Sequence, residues 1–357
     1  MPDAPGNRTR FRHSRARDRH DGDQQTGVAH RRSARRHART PIPRQVGRPV
    51  LHNRHESSGA MTTSAHLRGV DARPVVDTFD IAVVQTSSRT GAWQQNIDAV
   101  SSEVRVLAAG GSKVIVLPEL FASGYDLGSI DAMAESVPGR TSIALGELAA
   151  ETDTVLVTAM VFRDSEGVVF DSSLVVGPDG LLALGHKRFL WDRENAVFTP
   201  GAQSGLLVDT PFGSIGVVIC YEAGFPETVR DLVQRGADII AVPSAFGHVR
   251  LHVWKLLTRS RALENGVVVA AAGLTGQTGD GPRFAGHSVI VGPQGRTIVE
   301  MAETVGSVSA TVSRRELQDA RDEVPYLKDL ARLGGITETR TTENDHERNR
   351  DVRSAIS

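Results

Sequence analysis

The sequence predicts a layered α/β domain in which helices cover mixed sheets, and two features of the chain carry that prediction. From residue 79 onward, short apolar runs alternate with longer stretches of helical periodicity. The runs VIVL, GVVI, DIIAV and VVVAA are almost continuously apolar, as expected of strands that are buried on both faces. Because such strands need helices outside their sheets, an α/β fold follows.

The first series of elements starts with the strand FDIAVVQT and a helix from Asn96 to Ala109. A strand SKVIVLPEL, a loop FASGYD and a helix around Ser142 to Glu151 come next. The segments TVLVTAMVFR, VVFDSSLVVGPDG and LLALGHKRF then predict a strand and a hairpin, because Pro178-Asp179-Gly180 is a typical turn sequence.

A second series repeats this alternation. It starts with GLLVDTPFGSIGVVICYE and a helix from about Pro226 to Arg235, and it continues with the strand ADIIAVPSA. A long helix from about Leu251 to Asn265 follows, and Gly266 is well placed to end it because helices commonly close on a left-handed glycine. The segments GVVVAAAG and SVIVGPQG predict the last strands.

Composition divides the chain into three regions. Residues 1–75 are predicted to be a disordered Arg-rich extension, because residues 1–60 hold fourteen Arg, five acids and few apolar residues. Residues 76–330 are the predicted domain, and the polar residues 331–357 are a predicted disordered tail. Without residues 1–60 the chain is acidic by about ten charges, so the domain is not expected to bind nucleic acid.

The role of the extension is open between a nucleic-acid-binding arm, a transit peptide and an upstream segment that is not part of the working protein. The third is favoured, because Met61 follows SSGA and precedes the patterned region. Five acids interrupt the extension, whereas transit peptides are poor in acids.

Cysteine usage and hydropathy predict the compartment. Cys220 is the single cysteine, so no intramolecular disulfide can form and no CxxC pair is available for zinc. No apolar run approaches the roughly 20 residues that cross a bilayer, and the first residues lack the apolar core of a secretory signal. We therefore expect a cytoplasmic protein without a membrane partner.

Three chemically capable residues stand at predicted strand ends. Cys220 ends SIGVVIC just before a helix, where backbone amides can stabilise a thiolate and an oxyanion. Glu119 closes VIVLPE, and a carboxylate at the tip of a buried strand has a raised pKa and can act as a general base. Lys187 is one of only four lysines beside 37 arginines, and its compact ammonium suits a tetrahedral oxyanion.

Each of the three also has a structural interpretation. A lone cysteine is more often a small buried hydrophobe, Glu119 could be a helix-capping or surface acid, and Lys187 could be a solvated strand end. Their common position at the edge where α/β sheets usually hold their sites favours a Glu-Lys-Cys constellation.

The motifs around these residues resemble the nitrilase superfamily, the carbon-nitrogen hydrolases. The resemblance spans about residues 79–312 and rests on four motifs in the right order. They are PEL-x-x-x-GY (Pro118 to Tyr125), the Lys187 segment running to ENAVFTPG (Glu194 to Gly201), CYEAGFPE (Cys220 to Glu227), and RALENG (Arg261 to Gly266) followed by GHSVIVGPQG (Gly286 to Gly295).

The resemblance implies a four-layer αββα sandwich and a thiol-dependent hydrolase. Cys220 would attack the substrate carbon, Glu119 would be the general base and Lys187 would stabilise the tetrahedral intermediate. The backbone N–H of Tyr221 would complete the oxyanion hole, and a thioester on Cys220 would then be hydrolysed. Glu194 matches a second glutamate of the family that positions the lysine or the substrate.

Other expectations concern the substrate pocket and the partners. By the same resemblance Tyr125, Trp191 and Phe246 line the pocket, although ordinary aromatic packing explains them equally well. His248 and His252 have a zinc-ligand spacing but lack a third ligand, so neither a metal nor an organic cofactor is expected. Members of the family usually associate, which implies a homodimer or a larger homo-oligomer.

Two departures from the commonest family pattern bear on the substrate. Phe189 stands where the family often has a histidine, as K-x-H-L, so the lysine loop could be packed differently. Nitrile-cleaving members typically have C-W-E at the nucleophile, whereas Tyr221 and the segment Phe225-Pro226-Glu227 are typical of amide-cleaving members. We therefore expect a small linear amide or carbamoyl substrate. A nitrilase is the nearest alternative, and a nucleic-acid-binding protein that uses the Arg-rich arm is the alternative from another class.

Overall fold

The computed structural model describes residues 76–277 and 281–334. The predicted disorder of residues 1–75 and of residues 335–357 lies outside this part of the chain and stays a prediction. None of the helices in the described part is long and apolar enough to span a bilayer.

The described residues form fourteen strands and six α-helices. The strands are β1 (Thr78–Gln85), β2 (Ser112–Glu119), β3 (Val155–Arg163), β4 (Val169–Gly177), β5 (Gly180–His186), β6 (Leu206–Thr210), β7 (Gly213–Val217), β8 (Ile239–Ser244), β9 (Val268–Gly273), β10 (Thr275–Gln277), β11 (Arg283–Ala285), β12 (Val289–Val291), β13 (Thr297–Glu300) and β14 (Gly306–Ser313). The helices are α1 (Trp93–Ala109), α2 (Arg140–Thr152), α3 (Pro226–Gln234), α4 (Leu251–Asn265), α5 (Arg314–Glu323) and α6 (Tyr326–Arg332).

Two six-stranded mixed sheets contain most of these strands, and β10 and β11 form a separate hairpin. The first sheet has the order β14-β1-β2-β3-β4-β5, with β1, β2 and β3 parallel and the other neighbours antiparallel. The second sheet has the order β13-β12-β9-β8-β7-β6, with β7, β8 and β9 parallel. The carboxyl ends of the parallel strands therefore share one edge in each sheet, which is where α/β proteins usually hold a site.

The helices cover the outer faces, and the two sheets meet at their inner faces. Along β1, Ala82 and Val84 belong to the core shared with α1 and α2, whereas Ile81 and Val83 pack against the second sheet. The second sheet has α3 and α4 on its outer face. This order confirms the predicted four-layer αββα sandwich. Burial on both faces is the physical reason why the strand sequences are continuously apolar.

The predicted helices are all present, and Gly266 ends α4 in the left-handed conformation with φ 57°. The sequence prediction omits the short strands β10, β11 and β13, and it also omits β14, α5 and α6. Of these, β14 pairs antiparallel with β1, and its apolar residues Val308, Ala310 and Val312 alternate as in a half-exposed strand. The last helix, α6, ends at Arg332, just past the predicted domain boundary.

Candidate active site

Glu119 is positioned by an irregular end of β2. The pairing of β2 with β3 shifts its register between Val116 and Glu119, and the intervening Pro118 has no N–H to donate to a ladder. Leu120 then adopts a left-handed φ of 51°, which turns the chain away from the strand. The Glu119 carboxylate is left at the edge of the sheet with no exposure to solvent.

Lys187 follows β5 directly and is held through its backbone. Its N–H donates to the Asp171 carbonyl over 2.8 Å, and its own carbonyl accepts a hydrogen bond from the Gly201 N–H over 2.9 Å. The side chain is only 1 % exposed, and Nζ lies 2.6 Å from Glu119 Oε1. Lys187 is therefore a buried partner of Glu119 rather than a solvated strand end.

Glu194 contributes a second carboxylate from a short 3₁₀ helix, Asp192–Ala196. Its Oε1 accepts a hydrogen bond from the Tyr125 hydroxyl over 2.6 Å, and its Oε2 accepts one from the Trp191 N–H over 2.7 Å. The Lys187 ammonium lies 2.9 Å from Oε2. These contacts orient the Glu194 carboxylate, which helps to hold the Lys187 ammonium.

Asp171 on β4 brings a third carboxyl group to the same ammonium. Its Oδ2 lies 3.1 Å from Lys187 Nζ, and both side chains are fully buried. One oxygen from each of Glu119, Asp171 and Glu194 lies within 4.8 Å of the others. In the part of the chain that the structure describes, this is the one cluster of possible metal ligands, and the Lys187 ammonium already contacts all three carboxyls.

The charges of this cluster keep Lys187 a cation. Burial alone would lower the pKa of the Lys187 ammonium, because a buried charge loses its hydration. Opposing charges, led by those of Glu119 and Glu194, outweigh that effect and hold the Lys187 pKa well above its ordinary value. The site therefore contains a buried positive charge that bulk solvent screens only weakly.

Cys220 begins a 3₁₀ helix, Cys220–Gly224, that follows the end of β7. It adopts a left-handed φ of 47°, a conformation that is costly for a residue with a Cβ and that recurs at functional sites. Glu222 stabilises this turn, because its carboxylate accepts hydrogen bonds from the Ile219 N–H and the Arg188 N–H, each over 2.9 Å. Since Arg188 is next to Lys187, Glu222 also ties the turn of the thiol to the lysine loop.

The thiol of Cys220 is neutral at rest. The side chain is 8 % exposed, and burial raises the pKa of the Cys220 thiol well above its ordinary value. The nearby Glu119 carboxylate raises this pKa further, whereas the Lys187 ammonium lowers it. All three predicted residues therefore interact electrostatically, and the thiol needs a base before it can act as a nucleophile.

A cavity of about 570 Å³ adjoins this cluster. Tyr125 and Trp191 line it, together with Ala245 and Arg250. Ala245 links the cavity to the charged cluster, because its N–H donates to Glu119 Oε2 over 2.7 Å. Phe246 is not among the lining residues, and its ring lies against Trp254 with the centroids 5.3 Å apart.

Aromatic packing supports the loops of the site. The Tyr221 ring meets the Trp191 ring edge-on, with a centroid distance of 4.8 Å. Phe189, which replaces the histidine that the family often has, stacks on Phe225 with the rings 3.8 Å apart and nearly parallel. The lysine loop and the loop after Cys220 are thus joined by an apolar contact at this position.

Two residues of the site are missing from the sequence prediction. Glu222 stands in the CYE motif but has no role in that prediction, and Asp171 stands in the predicted strand VVFDSSLVV. A signal for Asp171 exists, because an acid in the middle of an apolar strand is rarely buried without a partner. No comparable signal exists for Glu222, whose role depends on two backbone N–H groups of distant loops.

Known proteins resemble this chain in both sequence and fold. The model of the carbon-nitrogen hydrolase family matches residues 80–322. The chain is 31% identical to omega-amidase NIT2 of Danio rerio over 263 residues, which cover 70% of this chain and 94% of the relative. Its fold is similar to that of Saccharomyces cerevisiae Nit3, with a TM-score of 0.67, 27% identity, and coverage of 70% of this chain and 96% of the other.

A further similar structure is a variant of the amidase from Nesterenkonia sp. AN1, with a TM-score of 0.62 and 27% identity over 70% of this chain and 97% of the other. In that variant the acetamide moiety of fluoroacetamide is covalently attached to the active-site cysteine. The family model, the identity with an omega-amidase and the fold all indicate one group of enzymes. This chain belongs to the carbon-nitrogen hydrolase family.

Proposed function

We propose that this protein is an amidase that hydrolyses a small linear amide or carbamoyl compound through a thioester on Cys220. The observation that carries the proposal is the buried ion pair of Lys187 and Glu119, 2.6 Å apart, beside a neutral thiol. A general base, a cation for the oxyanion and a nucleophile are then close together, which is what acyl transfer requires.

In the first step Glu119 takes the thiol proton as the sulfur attacks the carbonyl carbon. A C–S bond forms and the carbonyl electron pair moves onto oxygen, which becomes an oxyanion. Lys187 supports that negative charge, because its ammonium stays protonated in this environment. The N–H of Tyr221, at the second position of its 3₁₀ helix, has no acceptor within the helix and is suited to the same oxyanion.

In the second step the tetrahedral intermediate collapses. The C–N bond breaks, and the leaving nitrogen takes the proton that Glu119 holds, so ammonia or an amine departs and a thioester remains. Glu119 then accepts a proton from water, and the resulting hydroxide attacks the thioester carbon. As the C–S bond breaks, the Cys220 sulfur leaves and takes back the proton that Glu119 holds. The carboxylic acid is released and the free thiol returns.

The cavity indicates what the far end of the substrate carries. The guanidinium carbon of Arg250 lies 4.5 Å from the centroid of the Trp191 ring and 5.8 Å from that of Phe246. No carboxylate in the described part of the chain forms an ion pair with this guanidinium. Asp126, which also lines the cavity, is engaged by the Gly128 N–H and the Ser129 hydroxyl.

An unpaired guanidinium on an aromatic face is a good receptor for a carboxylate, because it offers two parallel N–H donors. We therefore assign to this enzyme an amide whose other end is a carboxylate. The name of the relative, omega-amidase NIT2, is consistent with an amide as the substrate.

Intact-mass measurement during turnover tests the proposed thioester. A panel of linear amides, some with a distal carboxylate, should give an acyl adduct that peptide mapping places on Cys220. The Cys220→Ala variant should fold but should form no adduct and release no ammonia. Turnover by purified Cys220→Ala at the wild-type rate would show that the thiol is not the nucleophile.

The nitrilase alternative is tested with matched substrates. Each amide and the corresponding nitrile are supplied at equal concentration, and release of carboxylic acid is followed. An amidase should convert the amide at least about 100-fold faster. Faster release from the nitrile would favour the alternative.

A further inference from the structure

Asp171 is a buried acid that the proposed mechanism does not use. It lies within β4, opposite Val161 of β3, and its side chain has no exposed surface. The chain bears no other acid in the buried middle of this strand. A buried carboxylate in such a position costs stability unless donors surround it, so its hydrogen bonds decide which form it takes.

The three carboxyls around Lys187 differ in the donors they receive. Glu119 accepts from the Lys187 ammonium and from the Ala245 N–H, one on each oxygen. Glu194 accepts from the Tyr125 hydroxyl, the Trp191 N–H and the ammonium. Neither oxygen of Asp171 accepts a hydrogen bond from any described residue, although Oδ2 lies 3.1 Å from Nζ.

The charges in the cluster also favour a protonated Asp171. With all three carboxyls ionised, one ammonium would face three negative charges on side chains that are fully or almost fully buried. Like charges at this distance normally retain a shared proton. Burial raises the pKa of Asp171 well above its ordinary value, and the charges of Glu119 and Glu194 and a hydrogen bond with Glu119 raise it further, against the lowering effect of Lys187.

We propose that Asp171 is a neutral carboxylic acid in the resting site and donates its proton toward Glu119, so that it positions the general base and limits the enzyme at high pH. The inference rests on the proposed function for the role of Glu119. Its structural part, a neutral Asp171, is independent of the reaction.

The consequence for activity follows from what Asp171 does when it ionises. The ionised Asp171 carboxylate then competes with the oxyanion for the Lys187 ammonium, so the oxyanion is less stabilised. Its negative charge also disfavours the thiolate form of Cys220. The titratable groups that interact with Asp171 are Glu119 after β2, Lys187 after β5 and Glu194 on its 3₁₀ helix. Cys220 and Tyr125 interact in turn with these three groups. Of these groups that can lose a proton, an aspartic acid has a lower ordinary pKa than a thiol or an ammonium, so we expect Asp171 to ionise before Cys220 and Lys187 as the pH rises.

The test is the pH profile of the Asp171→Asn variant of the full chain. Asparagine has the shape of the neutral acid and donates an N–H where the acid donates an O–H, but it cannot ionise. We expect the alkaline limb of kcat to move upward by at least about one pH unit, which is a tenfold change in proton concentration. Asp98→Asn, at an exposed position on α1, is the matched control and should keep the wild-type limb.

Infrared spectroscopy of the wild-type chain provides a readout that needs no substrate and no variant. A neutral carboxylic acid has a carbonyl stretch that ionised carboxylates lack, and carbon-13 labelling of aspartate side chains shifts it for Asp but not for Glu. A labelled-aspartate band at neutral pH that disappears on alkalinisation supports the proposal. Absence of that band, or an alkaline limb that Asp171→Asn leaves in place, would overturn it.

These outcomes separate the inference from the proposed function. If Cys220 carried no acyl adduct, the thioester mechanism would fail while the aspartate band could still be observed. If the adduct formed but Asp171 proved ionised at neutral pH, the mechanism would stand and the role assigned to Asp171 would be wrong.

Discussion

The two sheets end their middle parallel strands with similar sequences that serve different purposes. In the first sheet β2 runs into PELF, Pro118 to Phe121, and in the second sheet β8 runs into PSAF, Pro243 to Phe246. The first places a carboxylate at its tip, Glu119. The second places the small Ser244 there, and the N–H of the following Ala245 binds that same carboxylate over 2.7 Å.

A second pair of strand ends shows the same division. The end of β1 and the residue after it have the sequence IAVVQT, Ile81 to Thr86. This sequence is similar to IGVVIC, Ile215 to Cys220, at the end of β7. Thr86 pairs with Leu274 in a regular parallel bridge, whereas Cys220 is left-handed and begins a 3₁₀ helix. The first sheet and its loops therefore supply the charged groups, and the second supplies the thiol and a backbone donor. Similar strands form the frame, and the side chains at their ends set the chemistry.

Removing the cation of the first sheet should have the largest effect. Lys187→Met leaves three buried carboxyls without an ammonium, which should cost about 3–5 kcal/mol of the free energy of unfolding and abolish activity. The loss should shrink at low pH, where the carboxyls take up protons. Urea denaturation at pH 5 and pH 8 measures it.

Lys113→Met is the control for that loss. Lys113 lies at the start of β2 and pairs with Asp153 at the surface, so its loss should cost less than about 1 kcal/mol. Similar losses for the two variants would mean that the buried cluster is no more stabilising than a surface ion pair.

Exchanging residues at the two similar strand ends tests the division between the sheets. Glu119→Gln should lower kcat about 10²- to 10⁴-fold, because it removes the general base while keeping the shape and the Ala245 contact. Ser244→Ala should lower kcat less than about tenfold, because the Ser244 hydroxyl only forms a hydrogen bond that lowers the pKa of the Cys220 thiol and cannot act as the general base. Steady-state kinetics on one amide measures both kcat values. An equal decrease of kcat in the two variants would indicate that the shape of the turns matters and the Glu119 carboxylate does not.

The loop after β8 should determine substrate choice rather than rate. Arg250→Gln should lower kcat/KM for an amide with a distal carboxylate about 10- to 100-fold, as expected for loss of a charged hydrogen bond. The neutral amide of equal length should be affected little. If both substrates lost activity equally, Arg250 would be a packing partner of Trp191 and not a carboxylate receptor.

Much of this arrangement could be read from the sequence, because the signals are local. Continuous apolar runs show which strands are buried on both faces, and Glu119 and Cys220 stand at the ends of such runs. The family motifs then predict that Lys187 joins them, and the structure brings its Nζ to 2.6 Å from Glu119.

The rest depends on contacts between distant segments. Asp171 and Lys187 meet because β4 and β5 form a hairpin whose register sets Ser172 opposite His186. Sequence patterns predict the hairpin but not that register. Likewise, the Glu222 carboxylate accepts a hydrogen bond from the Arg188 N–H, 34 positions away in the sequence. No sequence pattern in either segment predicts this contact.

The smallest expected effect is a change in the reactivity of the Cys220 thiol. It tests whether Glu119 of the first sheet interacts electrostatically with Cys220 of the second. The Glu119 carboxylate raises the pKa of the Cys220 thiol, so a neutral residue in its place must lower that pKa. In Glu119→Gln the midpoint of Cys220 alkylation by iodoacetamide should therefore move to lower pH than in the wild type. Glu147→Gln, at an exposed site on α2, should leave the midpoint in place. An unchanged midpoint in Glu119→Gln would mean that burial alone keeps the thiol protonated, and Glu119 would then act on the thiol only during the reaction.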